Sequence, residues 1–257
     1  MNIQIIKETS DYLVINKPAN LIVHGGPGIT EKTLVDYLIE KYPELKGIGE
    51  DSLRPGIVHR LDKEASGLMI IAKNNIAFEY FKDQFKNRKI KKEYLALATG
   101  KLDRDEGIID FPISRSSQGY KMAAIPGTIK NLDKIEKLDD DQISNRTKGH
   151  IEALAKSRSA ITEFWVIKKL INFTLVKVNI KTGRTHQIRV HFSAFGHPLL
   201  GDNLYGNKKS KLQNKKLNIT RIFLMANHLN FIDPSGEQQD IIIDIDPDLK
   251  EILNKVK

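Results

Sequence analysis

Residues 59–72 (HRLDKEASGLMIIA) constrain the fold more than any other stretch, because charged and polar side chains run directly into an apolar segment. The apolar residues 68–72 predict a short buried strand. Polar groups fixed against a core element are typical of a rigid active site. We therefore expect Asp62, with Arg60 two residues before it, to lie beside a buried strand.

Further strands are predicted where apolar runs or an alternating pattern occur between turn residues. They are mostly joined as hairpins and outnumber the predicted helices. This pattern favours an α+β fold with a mixed, mostly antiparallel central sheet flanked by helices. The strands are expected at residues 3–6, 12–16, 21–24, 68–72, 93–99, 160–168, 173–180, 222–226, 229–232 and 241–245.

Helices are predicted where a capping residue precedes apolar residues at helical spacing. Residues 126–158 differ from their surroundings, because they are polar, carry charges of both signs and contain few aromatic residues. We expect them to form a surface insertion within a single catalytic domain of residues 1–257. The expected helices are one capped by Thr30 through Tyr42, one capped by Asn74 to about Asn87, one capped by Thr185 and ended by Gly196, and a short one near Pro247.

Composition excludes several kinds of chemistry. The 257 residues contain no cysteine, which rules out disulfides, thiolate nucleophiles and cysteine–zinc sites. No apolar run approaches the roughly 20 residues that span a bilayer. The first residues also lack the basic start and apolar core of a secretory signal. We therefore expect a cytoplasmic protein without a membrane partner.

The formal net charge of +9 favours a polyanionic partner such as RNA or DNA. The alternative is a generic coat of solvated lysines. Two basic runs, residues 82–93 and 208–221, contain six lysines or arginines each. Such runs can line a track of phosphate groups, although each by itself is more often a solvated loop or helix face.

Asp62 is the leading catalytic candidate. A second polar block, residues 182–191 (TGRTHQIRVH), can supply its positive partner. Beside Arg189 or Arg60 the carboxylate would stay ionised, and an ionised carboxylate can act as a nucleophile or a general base. The alternative is a structural salt bridge that holds the turn.

Tyr94 lies on a predicted strand directly after a basic run, where a tyrosine can stack on a base or exchange a proton. The alternative is an ordinary core aromatic residue. The histidines do not match the usual zinc spacing, and no phosphate-binding glycine loop is present. We therefore expect neither a metal nor a small-molecule cofactor.

Several motifs, in the right order, resemble those of the RluA-type RNA pseudouridine synthases. They cover most of residues 12–232, and the ordered set is far more specific than any single motif. The matching residues are 16–18 (NKP) with 23–24, 54–62 (RPGIVHRLD) with 66–68 (SGL), 92–94 (KEY), and 182–191 with 196–199, 201–202 and 205–206.

The resemblance implies a cofactor-free isomerase that converts uridine in ribosomal or transfer RNA to pseudouridine. The C1′–N1 bond breaks, the base turns, and C5 bonds to C1′. Asp62 would be the essential carboxylate, which either attacks C1′ or removes the 2′ proton. Tyr94 would stack on the target base and assist proton transfer at C5, and Arg189 would pair with Asp62 and hold it ionised.

The resemblance also implies base flipping, because a stacked uridine cannot reach a catalytic pocket. Arg60 would enter the space that the flipped uridine leaves. Ile188 and Leu68 would form the apolar wall of the pocket. The remaining residues expected to bind substrate are His59, Arg184, His186 and Gln187.

The chain departs from the family pattern at Ala65, Asn20 and Met225, none of which carries an assigned catalytic group. The motifs begin near residue 12, so we expect a short form without the S4 RNA-binding domain that many relatives carry. A monomer is expected. Two alternatives differ in class: a catalytically silent RNA-binding protein on the same scaffold, and a metal-dependent hydrolase that uses the histidines.

Overall fold

The computed structural model describes residues 3–116, 119, 121–126 and 155–256. The chain forms two compact units, of residues 1–96 with 220–255 and of residues 97–219. The expected single domain of residues 1–257 stays a prediction, because two compact units can belong to one domain. Most of the expected insertion at residues 126–158 lies outside the described residues.

Eleven strands and five helices occur within the described residues. The strands are β1 (Gln4–Glu8), β2 (Tyr12–Lys17), β3 (Ser66–Ala72), β4 (Lys91–Thr99), β5 (Glu106–Ile109), β6 (Ile113–Arg115), β7 (Met122–Ala124), β8 (Thr162–Lys169), β9 (Phe173–Ile180), β10 (Leu224–Ile232) and β11 (Gln238–Ile242). The helices are α1 (Leu34–Lys41), α2 (Asn75–Lys86), α3 (Gln187–Ala194), α4 (Lys208–Lys216) and α5 (Pro247–Lys255).

The first unit is built on a sheet of order β1-β2-β3-β10-β4, with β11 paired to β10. Only β3 and β10 run parallel in it, and the other pairs are antiparallel. The second unit contains the antiparallel β8–β9 hairpin, β5 beside β8, and the β6–β7 ribbon. The α+β class with a mixed, mostly antiparallel sheet is therefore confirmed. In the described part of the chain, no helix is long and apolar enough to cross a membrane.

The strand after Asp62 is a core element, as its apolar sequence predicted. All seven residues of β3 are buried, and residues 68–72 are each 0% exposed. Gly67 has a φ of +118°, and a Cβ there would lie 2.1 Å from the carbonyl oxygen of Ala226 on β10. Only glycine allows this close approach, so Gly67 sets how near the two parallel strands lie just after the Asp62 turn.

Asn74 and Asn87 bound α2 as predicted, and the Asn74 side chain accepts a hydrogen bond from the Ala77 amide at 2.8 Å. The first helix begins later than predicted. Its cap is Thr33, because Thr33 and Asp36 form a reciprocal capping box. The predicted strand at residues 21–24 is wrong, since this segment has no strand structure.

Near the end of the chain, the two strands predicted at residues 222–226 and 229–232 are one strand, β10, with an irregularity in its pairing between Ala226 and His228. The strand predicted at residues 241–245 is β11, which begins and ends earlier. The sequence analysis did not predict α4 or the short strands β5 to β7. These elements are short, and α4 has almost no apolar periodicity.

Candidate active site

Asp62 lies on the turn that leads into β3, directly after the buried Leu61. The side chain of Asp62 is half-buried, and its backbone carbonyl accepts a hydrogen bond from the Ala65 amide at 3.2 Å. The turn thus stops where the buried strand begins. The residue is thus partly accessible while its backbone is fixed.

Lys17, at the end of β2, ties this turn to the preceding loop. Its side chain is 0% exposed, and Nζ donates to the carbonyls of Pro18 (2.8 Å), Leu21 (2.9 Å) and Lys63 (3.1 Å). Burial lowers the pKa of Lys17 to about 7, and the negative charge of Asp62 opposes that shift. The sequence analysis noted the lysine–proline motif but did not name Lys17 as a site residue.

Tyr94 lies on β4, opposite Ala226 of β10, and is 5% exposed. Burial, and then the negative charge of Asp62, raise the pKa of its phenol above the ordinary value. The phenol is therefore protonated at neutral pH. It can donate a hydrogen bond or relay a proton, but it cannot act as a free phenolate base.

His59 is held against the core beside the turn. Its Nε2 accepts a hydrogen bond from the Ile70 amide at 2.9 Å, and its ring centroid lies 4.4 Å from that of Phe85. Burial, and then the charge of Lys92, hold the pKa of His59 well below its usual value. The imidazole is therefore neutral with its proton on Nδ1, which is buried and makes no hydrogen bond within the described residues.

The other two candidates of the first unit differ in exposure. Arg60 is exposed, and its Nη1 lies 3.4 Å from Nε2 of His24. Leu68 is a fully buried residue of β3. An exposed guanidinium suits the predicted contact with RNA, whereas Leu68 contributes to the core whether or not it borders a pocket.

In the second unit, Arg189 of α3 forms a bidentate ion pair with Asp202. The Nε–Oδ2 and Nη2–Oδ1 distances are 2.9 and 3.0 Å, and the two side chains are 2% and 0% exposed. Asp202 Oδ1 also accepts hydrogen bonds from the amides of Leu204 and Tyr205, both at 3.0 Å. Bidentate pairing fixes the plane of the guanidinium, so Asp202 sets its orientation. The sequence analysis matched Asp202 to a motif without giving it a role.

Gln187 orders the loop before α3 with all of its amide groups. Its Oε1 accepts from the Thr182 hydroxyl at 2.7 Å and from the Arg184 amide at 3.0 Å. Its Nε2 donates to the Ile161 carbonyl and the Thr162 hydroxyl, both at 3.0 Å. Since Gln187 is only 3% exposed, these contacts show a positioning role, and its predicted contact with RNA stays a prediction.

His186 is the cap residue of α3, in place of the predicted Thr185. It has a left-handed φ of 55°, makes no side-chain capping bond, and its Nδ1 lies 2.8 Å from the Tyr205 hydroxyl. Arg184 is half-buried, and its Nε donates to the Ser159 carbonyl at 3.1 Å. Ile188 is 5% exposed, as an apolar wall residue would be. Phe195 follows the last residue of the helix, Ala194, and is 38% exposed.

Arg221 differs from the other members of its basic run, because it is 8% exposed and bound by acids. Its Nη1 pairs with Asp246 (3.2 Å) and Asp248 (2.9 Å), and its Nη2 donates to the Ser66 hydroxyl at 2.7 Å. Ser66 also donates to Asp246. The interpretation of residues 208–221 as one solvated run is therefore wrong at Arg221, which anchors the start of β3.

The structure places the predicted site residues in two groups. His59, Arg60, Asp62, Leu68 and Tyr94 belong to the first unit, and Arg184, His186, Gln187, Ile188 and Arg189 to the second. Within the first group, burial and then the charge of Asp62 raise the pKa of Tyr94, so the two proposed catalytic groups of that unit interact electrostatically. The pairing of Arg189 with Asp62 joins residues of different units and stays a prediction. Among the described residues, no cluster of three His, Asp or Glu side chains could hold a metal ion.

A model of the RNA pseudouridylate synthase family matches residues 11–194. An uncharacterized RNA pseudouridine synthase of Aquifex aeolicus is 41% identical over 237 residues, which are 91% of this chain and 66% of that protein. The ribosomal large subunit pseudouridine synthase D of Zymomonas mobilis is 35% identical and aligns with 96% of this chain and 71% of its own length. The chain thus spans about two thirds of the length of these relatives.

Among solved structures, human RNA pseudouridylate synthase domain containing 1 is 25% identical, with a TM-score of 0.69 over 96% of this chain and 86% of that one. Human RNA pseudouridylate synthase domain containing 4 has a TM-score of 0.74 over 98% of this chain and 92% of that one; at 24% identity it shows a likeness of fold. The fold, the ordered motifs and the matched family model agree, and the chain belongs to the RNA pseudouridylate synthase family.

Proposed function

We propose that this protein isomerises specific uridines in structured RNA to pseudouridine, with Asp62 as the essential group and without a cofactor. The observation that carries the proposal is the Asp62 turn. Its backbone is held by Lys17 and by the start of β3, while Asp62 itself is half-buried rather than enclosed. A reacting group needs this combination, because the substrate must reach it and its position must not drift.

The reaction requires the target uridine to leave the stack. Extrusion costs a few kcal/mol, which contacts to the flipped base and to the vacated space must offset. The exposed Arg60 is proposed to fill that space. Asp62 then attacks C1′ or removes the 2′ proton, and the C1′–N1 bond breaks. The base turns and C5 bonds to C1′, as Asp62 leaves C1′ or returns the 2′ proton. C5 loses its proton and N1 gains one, so the product is an isomer of the substrate.

Tyr94 is proposed to stack on the base and to take part in removing the proton from C5. Because burial and Asp62 keep its phenol protonated, Tyr94 can receive that proton only while it passes its own proton on. Arg189, oriented by Asp202, is proposed to pair with Asp62 and keep it ionised. His59, Arg184, His186, Gln187, Ile188 and Leu68 are proposed to complete the substrate site, directly or by positioning their neighbours.

Ribosomal RNA is the substrate class that the relatives favour, with transfer RNA as the alternative. Two relatives of 35% and 32% identity are named for the ribosomal large subunit. Pseudouridine mapping of total cellular RNA, with and without the gene, tests this choice. Loss of a site in large-subunit ribosomal RNA supports it, and loss confined to transfer RNA overturns it. We also propose that the enzyme is cytoplasmic and monomeric.

The central test is the Asp62→Asn variant, which keeps the shape of the side chain and removes its charge. We expect tritium release from [5-³H]uridine-labelled RNA to fall by at least about 10³-fold, as when an essential catalytic group is removed. RNA binding should survive. Asp51→Asn, at a second turn aspartate that pairs with Arg54 at 3.0 Å, is the matched control and should remain active.

Release that persists in the Asp62→Asn variant would refute the assignment. The parent enzyme is also measured in EDTA, where we expect full activity. Activity of the parent that is lost in EDTA and restored by added metal would instead favour a metal-dependent hydrolase. RNA binding by a parent protein that forms no pseudouridine would favour the catalytically silent alternative.

A further inference from the structure

Helix α4 has an unusual charge pattern for a nine-residue helix. Its sequence KKSKLQNKK contains five lysines and no acidic residue. Ser210 and Asn214 form its buried face, and Leu212 on the opposite face is 56% exposed. At 100° per residue, every lysine lies within about 100° of Leu212, so the solvent side of α4 is a basic surface with an apolar centre. These lysines are Lys208, Lys209, Lys211, Lys215 and Lys216.

This arrangement lowers the stability of the free helix. Cations in the first turn oppose the helix dipole, and like charges four residues apart, as at Lys211 and Lys215, repel each other. Within the described residues, none of the five lysines has an ion-pair partner. An anion bound along this face would remove both penalties.

The other basic run, at residues 82–93, is built differently. Lys82 pairs with Glu50 and Glu79, Lys91 pairs with Glu93 at 2.9 Å, and Nζ of Lys92 lies 5.2 Å from the ring centroid of Phe85. Several lysines of this run therefore already interact with acidic or aromatic side chains of the protein. The five lysines of α4 have no ion-pair partner within the described residues, which distinguishes this helix from the run at residues 82–93.

The helix is also held firmly within its unit. The Asn207 side chain caps it through the Ser210 amide at 2.8 Å, and Asn214 Oδ1 accepts from the Gly201 amide at 3.0 Å. Gly201 directly precedes Asp202, the partner of Arg189. The basic surface thus has a fixed position relative to the Arg189 guanidinium, which a mobile lysine-rich loop would not have.

We propose that the exposed face of α4 is a docking surface for the sugar–phosphate backbone of the RNA substrate. The lysines neutralise successive phosphates and Leu212 packs against a ribose or base between them. Binding of this kind releases condensed counterions and supplies affinity without reading sequence. The identity of the polyanion rests on the proposed function.

The test compares two variants that remove two lysines each. Lys209→Ala with Lys216→Ala takes charge from α4, and Lys250→Ala with Lys255→Ala takes the same charge from α5, whose lysines lie 3.8 Å from Asp244 and 3.0 Å from Glu251. Binding to in vitro-transcribed large-subunit ribosomal RNA is measured from 50 to 300 mM salt. The α4 variant should bind about tenfold more weakly near 100 mM, with a salt slope smaller by about 1.4 to 1.8.

The α5 variant should change affinity by less than about twofold if docking is local rather than a net-charge effect. Thermal unfolding of the α4 variant should be unchanged or higher, because repulsion is removed. Equal losses in the two variants, or an unchanged salt slope in the α4 variant, would overturn the docking surface. Single-turnover pseudouridine formation by the α5 variant at saturating enzyme should equal that of the parent. If the parent forms none, the proposed function fails while the binding comparison still decides on α4.

Discussion

Asp62 stands on a turn that is held through its backbone, whereas Arg189 is held through its own side chain. Lys17 donates to the Lys63 carbonyl of the Asp62 turn, and Asp62 is half-buried. The guanidinium of Arg189 is buried in a bidentate pair with Asp202. A group that reacts must be reachable, so the structure fixes the chain beneath it. A guanidinium that orients or neutralises a neighbouring carboxylate is better buried, because burial strengthens its ion pair and a bidentate partner fixes its plane.

This difference predicts opposite sensitivities in the two regions. Substitutions around Arg189 should cost stability first, because they leave a buried charge without compensation. Substitutions around Asp62 should change the pH dependence and activity more than the stability. Three variants test this contrast, in order of expected effect.

Asp202→Ala should have the largest effect on stability. Removing one partner of a buried ion pair costs about 3–5 kcal/mol, and the amides of Leu204 and Tyr205 also lose their acceptor. Urea unfolding of the purified protein measures the loss. Asp202→Asn keeps an acceptor for both amides but leaves the Arg189 charge unpaired, so the difference between the two variants measures the amide contacts. A loss below about 1 kcal/mol in Asp202→Ala would show that the pair contributes little.

Lys17→Met tests the support beneath Asp62. The unfolded chain holds the Lys17 proton up to its ordinary pKa of 10.5, whereas the folded protein releases it near pH 7. The unfolded state therefore binds more protons between these values, and Lys17 makes stability rise with pH across this window. In the Lys17→Met variant, the free energy of unfolding should therefore rise less between these pH values. Its kcat should fall about tenfold, because the turn beneath Asp62 loosens.

Unfolding free energies measured from pH 6.5 to 10 decide this prediction. Lys63→Met, at an exposed lysine paired with Glu31 at 2.7 Å, is the matched control for loss of a lysine side chain near this turn. An identical slope in parent and Lys17→Met would contradict the assigned titration.

Tyr205→Phe should have the smallest effect of the three. The Tyr205 hydroxyl accepts from the Met122 amide at 2.9 Å and lies 2.8 Å from His186 Nδ1, so the variant loses about 1–2 kcal/mol. Thermal unfolding measures the change. Tyr37→Phe on α1 is the control and should be neutral within about 0.5 kcal/mol. Equal stability of parent and Tyr205→Phe would mean that solvent replaces both contacts.

Sequence patterns predicted the elements whose signals are local. The apolar run of β3 and the capping asparagine of α2 are examples, because burial and capping act within a few residues. Patterns failed where a tertiary contact competes with a local signal. His186 occupies the left-handed cap of α3 beside Tyr205, in place of Thr185. The cap of α1 is a different case, because the box of Thr33 and Asp36 is a local signal that competes with Thr30. The segment at residues 21–24 is apolar without being a strand. Its Leu21 carbonyl accepts a hydrogen bond from Lys17 instead of pairing with another strand.

The order of the motifs along the chain was enough to predict the family and the fold class and to propose Asp62, Tyr94 and Arg189 as reacting groups, because motifs preserve residue types in order. The residues that support these groups could be identified only from contacts in three dimensions. Lys17 reaches the Lys63 carbonyl across 46 positions, Asp202 holds Arg189 across 13, and Arg221 is withdrawn from a basic run by Asp246. Hydrogen bonds and ion pairs depend on distances in space, and spacing along the chain does not specify those distances.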